Sequence, residues 1–448
     1  MLIVKWSETP AFQLNTADGH PALSVRMEGS CMIVKVWSDF SDDPLPLKAE
    51  IPAADSDSAS PSCALVLRPW RIEFWVNGRL MDEEWPAGKL LLTSDTATDA
   101  APNAPLPEGI SVSFAEDHVP FAERAADFTT DCGISARADE DGLPDTVIGQ
   151  LLSKNGENAA EGWKPSDPGV FVGDCMPFAG GPEEDGGERY HLLWLKDRHH
   201  HHSKWNRGAH QWAHMSTLDF KNWDLHPLAV SIDAPEEGSI CTGSWLKRDD
   251  GVQLLYYTVR TVDGSPAPLL RSVSEDGYRF RRDPDFRLYL SERYHGPSAR
   301  DPKIVRAEDG SYHMFVTTSL VPEGVGCLAH LISADGNQWE EAAPLYIAPD
   351  EDQPECSDSF TLNGWHYLIF SHHGRGQYRM SRTPFTFADR GTPDWICPED
   401  PDIPCESVPK ATVWHGRILF AGFTRIEGYA GTLTFREAWQ GPDGQLRF

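Results

Sequence analysis

Three acidic residues stand in contexts unusual for surface carboxylates. Asp174 lies in GVFVGDCMPF with apolar residues on both sides, Asp301 lies in SARDPKIV between Arg300 and Pro302, and Glu355 lies in DQPECSDSF beside Cys356. Each opens an apolar run. Three carboxylates around one hollow suit cleavage of a glycosidic bond, which needs one protonated acid at the leaving oxygen and one ionised carboxylate below the ring; like-charge repulsion helps keep the acid protonated. A third carboxylate can grip sugar hydroxyls as positive charge develops. Taken singly, each reads more readily as a turn Asp or a solvated Glu. Their recurrence at one place in a repeat is what points to chemistry.

That repeat begins near residue 170. Aromatic-rich strands open with YH or WH (YHLLWL, YHMFVTTSL, WHYLIFSHH), and the strands that follow end in Ser-Asp-aromatic turns: STLDFKNW, SVSEDGYRF, ISADGNQW and the weaker SRTPFTF. Asp-Gly supplies positive φ for a tight turn, and the Trp or Phe after it is placed to wedge between neighbouring sheets. The turns recur at roughly 50 to 60 residues, near the length of a four-stranded propeller blade. With a closing segment from KATVWHGRILFAGF to GTLTFREAW this makes about five blades. The first strand of each blade lines the central channel, so Asp174, Asp301 and Glu355 are expected at one mouth. A sandwich of regular hairpins is the alternative.

Residues 1–152 read as a separate lectin-like β-sandwich, its strands (CMIVKVWSDF, LPLKAEIP, RIEFWVNGRL, ISVSF) joined by Ala/Ser/Pro-rich acidic loops. The stretch 153–169 is the expected linker and 170–448 the propeller. The expected fold class is therefore all-β, a five-bladed β-propeller preceded by an N-terminal β-sandwich. Trp70, Trp75 and Trp85 of the sandwich either bind carbohydrate or pack in its core; their apolar strand contexts favour packing.

Composition narrows the partners. With 39 Lys+Arg against 68 Asp+Glu the 448-residue chain has a formal charge of −29, so nucleic acid and anionic membrane surfaces are expected to be repelled. No apolar run approaches the roughly 20 residues that span a bilayer. The opening MLIVKWSETPAFQLN lacks a signal-peptide pattern, and a cytoplasmic location is expected. The nine Cys are scattered without a CxxC pair, which argues against a disulfide framework or structural zinc. No cofactor is expected. The expected partner is an oligosaccharide or small glycoside substrate, and a homo-oligomer stays open.

The order of the three acidic motifs resembles glycoside hydrolase family 32, the five-bladed-propeller fructofuranosidases of clan J, in a divergent form. HQWAHMSTLDFKNWDLHPLAV (210–230) is similar to that family's Trp-Gly-His-Ala and Ser-x-Asp-Leu-x-x-Trp stretch, and WHGRILFAGF with YAGTLTFREAWQGPDGQLRF resembles its final blade. The opening motif differs: the family usually has Trp-Met-Asn-Asp-Pro-Asn-Gly where this chain has Phe-Val-Gly-Asp-Cys-Met-Pro. The resemblance implies Asp174 as the nucleophile of a covalent glycosyl-enzyme, Glu355 as general acid/base and Asp301 as the residue that holds sugar hydroxyls. It implies the retaining route on β-fructofuranosides or a related furanoside, by hydrolysis or transglycosylation, with no metal required. Arg300 would help keep Asp301 ionised, while Trp212 and His214 would help line the pocket.

Other residues carry weaker expectations. Asp197 and Arg198 are candidates for sugar hydroxyls, and His373, after an apolar strand, is a candidate to point into the channel. His199 to His202 read as a loop over the mouth or as a metal site. Cys175 and Cys356 read as small buried packing residues. Two other functions stay open: a family 43-like inverting arabinofuranosidase or xylosidase, and a non-catalytic sugar-binding propeller.

Overall fold

The computed structural model describes most of residues 2–51, 61–92 and 109–114, then 162–165, 170–180, 188–198, 210–232, 236–387, 394–395 and 407–447. Two compact units emerge, one holding Met1–Asp141 and the other Gly142–His201, Arg207–Ile232 and Glu237–Phe448. Among the described residues the elements are strands, apart from one 3-10 turn at Gly296–Ser298. No helix among them is long and apolar enough to cross a membrane.

The first unit is a sandwich of two antiparallel sheets. One runs in the order Arg79–Glu84, Ile72–Val76, Ser62–Leu67, Leu2–Ser7, Ile110–Phe114; the other runs Phe12–Asn15, Pro21–Glu28, Cys31–Ser38, Ser41–Glu50. Alternating residues Leu2, Val4 and Trp6 meet Leu65, Phe74, Leu23, Val34 and Leu47 in the shared core. Asn77 turns the Ile72–Val76 hairpin with φ 50°, the left-handed conformation that its Asn-Gly sequence foretells. Trp75 is buried and its indole N–H donates to Glu73 Oε2 at 3.1 Å, so it packs and does not offer a sugar platform. Trp70 and Trp85 lie outside the described residues.

The second unit is the propeller. Blade 1 comprises Val170–Ala179, Tyr190–Arg198, Gln211–Thr217 and Asp224–Val230; blade 2 comprises Glu237–Lys247, Gln253–Thr261, Leu269–Ser274 and Arg281–Leu288. Blade 3 runs from Arg300–Arg306 through Tyr312–Ser319 and Gly326–Ser333 to Glu340–Glu341, and blade 4 from Glu355–Leu362 through Trp365–His372 and Arg375–Ser381 to Asp394–Trp395. Blade 5 holds Ser407–Trp414, Arg417–Arg425 and Gly431–Gln440, joined to blade 1 where Gly431 pairs with Val172. The first strands of successive blades contact one another around a closed ring, blade 5 returning to blade 1. Within the expected linker, Trp163 is buried in the core shared by blades 1 and 5; its carbonyl accepts the Leu433 N–H at 2.9 Å, and the Gly162 N–H donates to the Leu433 carbonyl at 2.8 Å. Much of the remaining stretch lies outside the described residues.

The turns between third and fourth strands are built alike. Thr217, Ser274 and Ser333 each accept a backbone N–H three residues on with the side-chain hydroxyl, and Asp219, Asp276 and Asp335 cap the next two amides. Gly277 and Gly336 take φ 75° and 74°, and Phe220 takes the same left-handed place in blade 1 at 59°. Trp223, Phe280 and Trp339 then tuck inward as wedges.

Candidate active site

What aims the acids is a bulge. In every blade two residues of the first strand stand against one of the second: Gly173 and Asp174 against Leu195, Cys241 and Thr242 against Thr258, Asp301 and Pro302 against Val316. Blades 4 and 5 repeat this with Cys356 and Ser357 against Phe370, and Val408 and Pro409 against Gly422. A bulge breaks the two-residue alternation and re-aims side chains. Pro302 and Pro409 fit there because the interrupted ladder asks no N–H of them. Asp301, Cys356 and Val408 carry φ 54°, 52° and 43°, a conformation costly for such residues that surrounding structure must hold in place.

The bulge residues meet through Cys356. Its backbone N–H donates to Asp301 Oδ2 at 3.0 Å and its thiol donates to Asp174 Oδ2 at 3.4 Å, while Glu355 precedes it in the chain. Burial and the nearby Asp301 and Asp174 carboxylates push this thiol well up, so it stays protonated and donates. Thr242 donates to Asp301 Oδ1 at 2.7 Å. Asp301 is buried, whereas the Glu355 side chain is 48% exposed.

Arg300 ties two of the acids together. One amino group donates to Glu355 Oε1 at 2.7 Å, Nε lies 3.5 Å from Asp301 Oδ2, and the other amino group bonds Gln353 and the Ser298 carbonyl. The guanidinium is buried against its partners, so its fork fixes Glu355 at the rim and neutralises part of the charge.

Asp174 has a second set of supports. Tyr429 donates its hydroxyl to Asp174 Oδ1 at 2.9 Å, and the Asp174 N–H approaches that same hydroxyl at 3.3 Å. The Tyr429 ring stacks on His210 with centroids 5.2 Å apart, and His210 Nε2 lies 2.8 Å from Asp197 Oδ1. Burial first, then the Asp301 charge, push the Asp174 acid up to about 6, against the Tyr429 hydrogen bond and His210.

Several expected ligand contacts are corrected. Asp197 is buried and occupied by His210, so it supports the wall behind Asp174 and cannot reach a sugar. Trp212 has 0% exposure; its indole donates to the Cys241 carbonyl at 2.9 Å and its ring meets Tyr257, so it props the blade 2 bulge from behind. His214 is equally enclosed, 2.9 Å from His191 Nδ1 and packed with His226, Trp245 and Tyr278. Burial drives its pKa well below the ordinary value, leaving it neutral. Arg198 ends the second strand of blade 1 opposite Val170, and its side chain, like His199 to His202, is not among those described. His373 stands exposed at the turn after Trp365–His372, its Nε2 2.9 Å from Asp350 Oδ2. Cys175 is a buried packing residue whose thiol meets the Gly422 carbonyl.

Sequence reading missed Tyr429, His210, Thr242 and Gln353. Thr242 had a signal, because CTG stands in blade 2 where GDC stands in blade 1. Tyr429 had none, because its partner is 255 residues away.

Residues 186–388 match the family model described as Glycosyl hydrolases family 32 N-terminal domain. That span contains Asp301 and Glu355 and stops short of Asp174. The chain is 27% identical over 199 residues to the sucrose-6-phosphate hydrolase of Escherichia coli, covering 41% of this chain and 40% of that protein. To the sucrose-6-phosphate hydrolase of Salmonella typhimurium it is 31% identical over 219 residues, covering 46% and 41%. It thus spans about two fifths of the length of these curated relatives. Among solved structures, fructan 1-exohydrolase IIa from Cichorium intybus superposes with TM-score 0.52 at 17% identity over 64% of this chain and 59% of that one. Inulosucrase from Halalkalicoccus jeotgali bound to kestose gives 0.51 at 15% identity over 66% and 92%. Both are likenesses of fold.

Proposed function

We propose that the chain is a divergent member of glycoside hydrolase family 32 and a retaining glycoside hydrolase, or a transglycosylase using the same intermediate, acting on β-fructofuranosides or a related furanoside. The observation that carries this reading is the junction at Cys356, which hydrogen-bonds both Asp174 and Asp301 while Glu355 adjoins it in the chain.

Each group has work suited to its surroundings. Asp174, ionised above about pH 6, attacks the anomeric carbon; the glycosidic C–O bond breaks as Glu355 gives its proton to the leaving oxygen. Glu355 then takes a proton from water or an acceptor hydroxyl. That oxygen attacks the anomeric carbon, the ester to Asp174 breaks, and both carboxyl groups return to their starting states. Asp301, held by Thr242, Cys356 and Arg300, is a fixed acceptor for sugar hydroxyls that strengthens as charge develops. That the curated relatives are sucrose-6-phosphate hydrolases supports sucrose or a phosphorylated form among the substrates.

The test is incubation with sucrose, sucrose 6-phosphate and inulin- and levan-type oligosaccharides, with product configuration read by NMR and Asp174→Asn as control. Retained configuration with activity abolished in the variant is expected. Inverted configuration, or a variant as active as the parent, would remove Asp174 from the nucleophile role.

A further inference from the structure

Beside Glu355 the described residues bring together a second group of chemistry-bearing side chains, in which Asp350, His372 and His373 place one ligand atom each within 4.8 Å of the others. His372 Nε2 is 3.1 Å from Asp350 Oδ1 and His373 Nε2 is 2.9 Å from Asp350 Oδ2. Asp352 accepts the His373 backbone N–H and lies 3.7 Å from both imidazoles. The residues come from two segments. Asp350 and Asp352 lie in the approach to Glu355, and the two histidines follow Ser371, the residue paired with Glu355 across the sheet.

We propose that Asp350, His372 and His373 form a binding site for a divalent transition-metal ion, with Zn2+ as its type. The donors match that class: imidazole nitrogen with carboxylate oxygen suits Zn2+ and its first-row neighbours, whereas Ca2+ and Mg2+ seek all-oxygen shells. Spacing agrees too. Bonds of about 2.0–2.2 Å in tetrahedral array separate the donors by roughly 3.3–3.6 Å; each imidazole Nε2 lies 3.1 or 2.9 Å from one Asp350 oxygen, and the three ligand atoms lie within 4.8 Å of one another. The carboxylates of Asp350 and Asp352 bring two negative charges to the cluster, which a divalent ion cancels. His373 has φ 51°, and this left-handed turn is what lets consecutive histidines face one carboxylate. Three protein ligands leave a coordination position for water or a ligand oxygen at the rim. The ion would clamp the Asp350–Glu355 approach to the turn after Trp365–His372, on both sides of the proposed acid/base. The inference rests on the donor set and does not require the hydrolase reading.

The experiment uses the full chain without an affinity tag, in a background where His199 to His202 are all replaced by Gln, because a run of four histidines can itself coordinate Zn2+. Chelator-stripped protein is dialysed against Zn2+, metal content is measured, and thermal unfolding is recorded with and without the ion. One ion per chain is expected, with an unfolding midpoint raised by several degrees, since an ion that binds only the folded state stabilises it. Asp350→Asn and His373→Gln should each lower affinity at least tenfold and abolish the midpoint shift, with metal-free unfolding unchanged; Glu355→Gln should keep the ion. Failure of the background protein to bind Zn2+, undiminished binding in Asp350→Asn and His373→Gln, or preference for Ca2+ over Zn2+ would each overturn the proposal.

Discussion

Tyr429 donates its hydroxyl to Asp174 Oδ1 at 2.9 Å, from the loop before the third strand of blade 5 to the bulge of blade 1. The bond favours the ionised carboxylate, while burial and the Asp301 charge favour the neutral acid and leave it at about 6. Removing the hydroxyl removes a force that lowers the Asp174 pKa. Tyr429→Phe is therefore expected to move the acid limb of the kcat/KM profile upward by about one pH unit, since a hydrogen bond to a charged group contributes about 1.5–3 kcal/mol and one unit corresponds to about 1.4. Activity should fall about fivefold near pH 6, about tenfold below pH 5 and hardly at all near pH 8. An unmoved limb would show that the bond does not tune the nucleophile.

Asp174→Asn should abolish turnover and stabilise the fold. A carboxyl whose folded pKa is raised from 3.8 to about 6 gives stability that is present below the unfolded value and lost as pH rises through the folded one. Above pH 6 the wild type bears the whole cost of a buried charge, on the order of 3 kcal/mol at about 1.4 kcal/mol per unit. Asn bears none of it. Denaturant unfolding at pH 7.5 should therefore favour the variant, and the difference should vanish by about pH 3. An equal gain at both pH values would mean that the charge is not its source.

Much of this was legible because it was local. The Asp276-Gly277 and Asp335-Gly336 turns follow from side chains bonding their own backbone and from glycine's freedom at positive φ. The three acids come near one another because blades repeat: each lies at or next to the bulge near the start of its blade's first strand, and so near the same end of the axis. Trp212, His214 and Asp197 are enclosed because blade strands are covered on both faces, so neither a motif match nor a place beside a polar loop separates core from cleft. The bulges escaped notice because one inserted residue leaves no compositional mark, yet they decide where Asp174 and Asp301 point.

Gly243 tests how tightly the bulge is held. Its φ is not in the left-handed region, so the constraint is space alone. A Cβ there would lie 1.9 Å from the Tyr256 carbonyl oxygen and 2.9 Å from the Trp212 ring. Neither neighbour can yield, because Tyr256 O is backbone in the adjoining strand and Trp212 is fully enclosed. Gly243→Ala should cost about 2–4 kcal/mol in unfolding free energy. Through displaced Thr242 and its bond to Asp301, it should also lower kcat/KM in the fraction that folds. Unfolding unchanged from wild type would show that the strands separate freely at the bulge.

Glu355→Gln separates the two halves of the reaction. The amide keeps the size of the side chain and can still accept from Arg300, now 2.7 Å from Oε1, so folding should be preserved. It can neither give nor take the catalytic proton. A positioned acid or base contributes typically about 10²–10⁴-fold, and sucrose turnover should fall by that factor. Release of an aryl group needs little protonation, so an aryl fructofuranoside should still form the Asp174 ester. Hydrolysis of that ester lacks its base. A burst of aryl release stoichiometric with enzyme, followed by slow turnover, is therefore expected in stopped-flow absorbance, with the adduct on the peptide containing Asp174 by mass spectrometry. Sucrose and aryl substrate slowed by the same factor, with no adduct, would assign proton transfer to a residue other than Glu355.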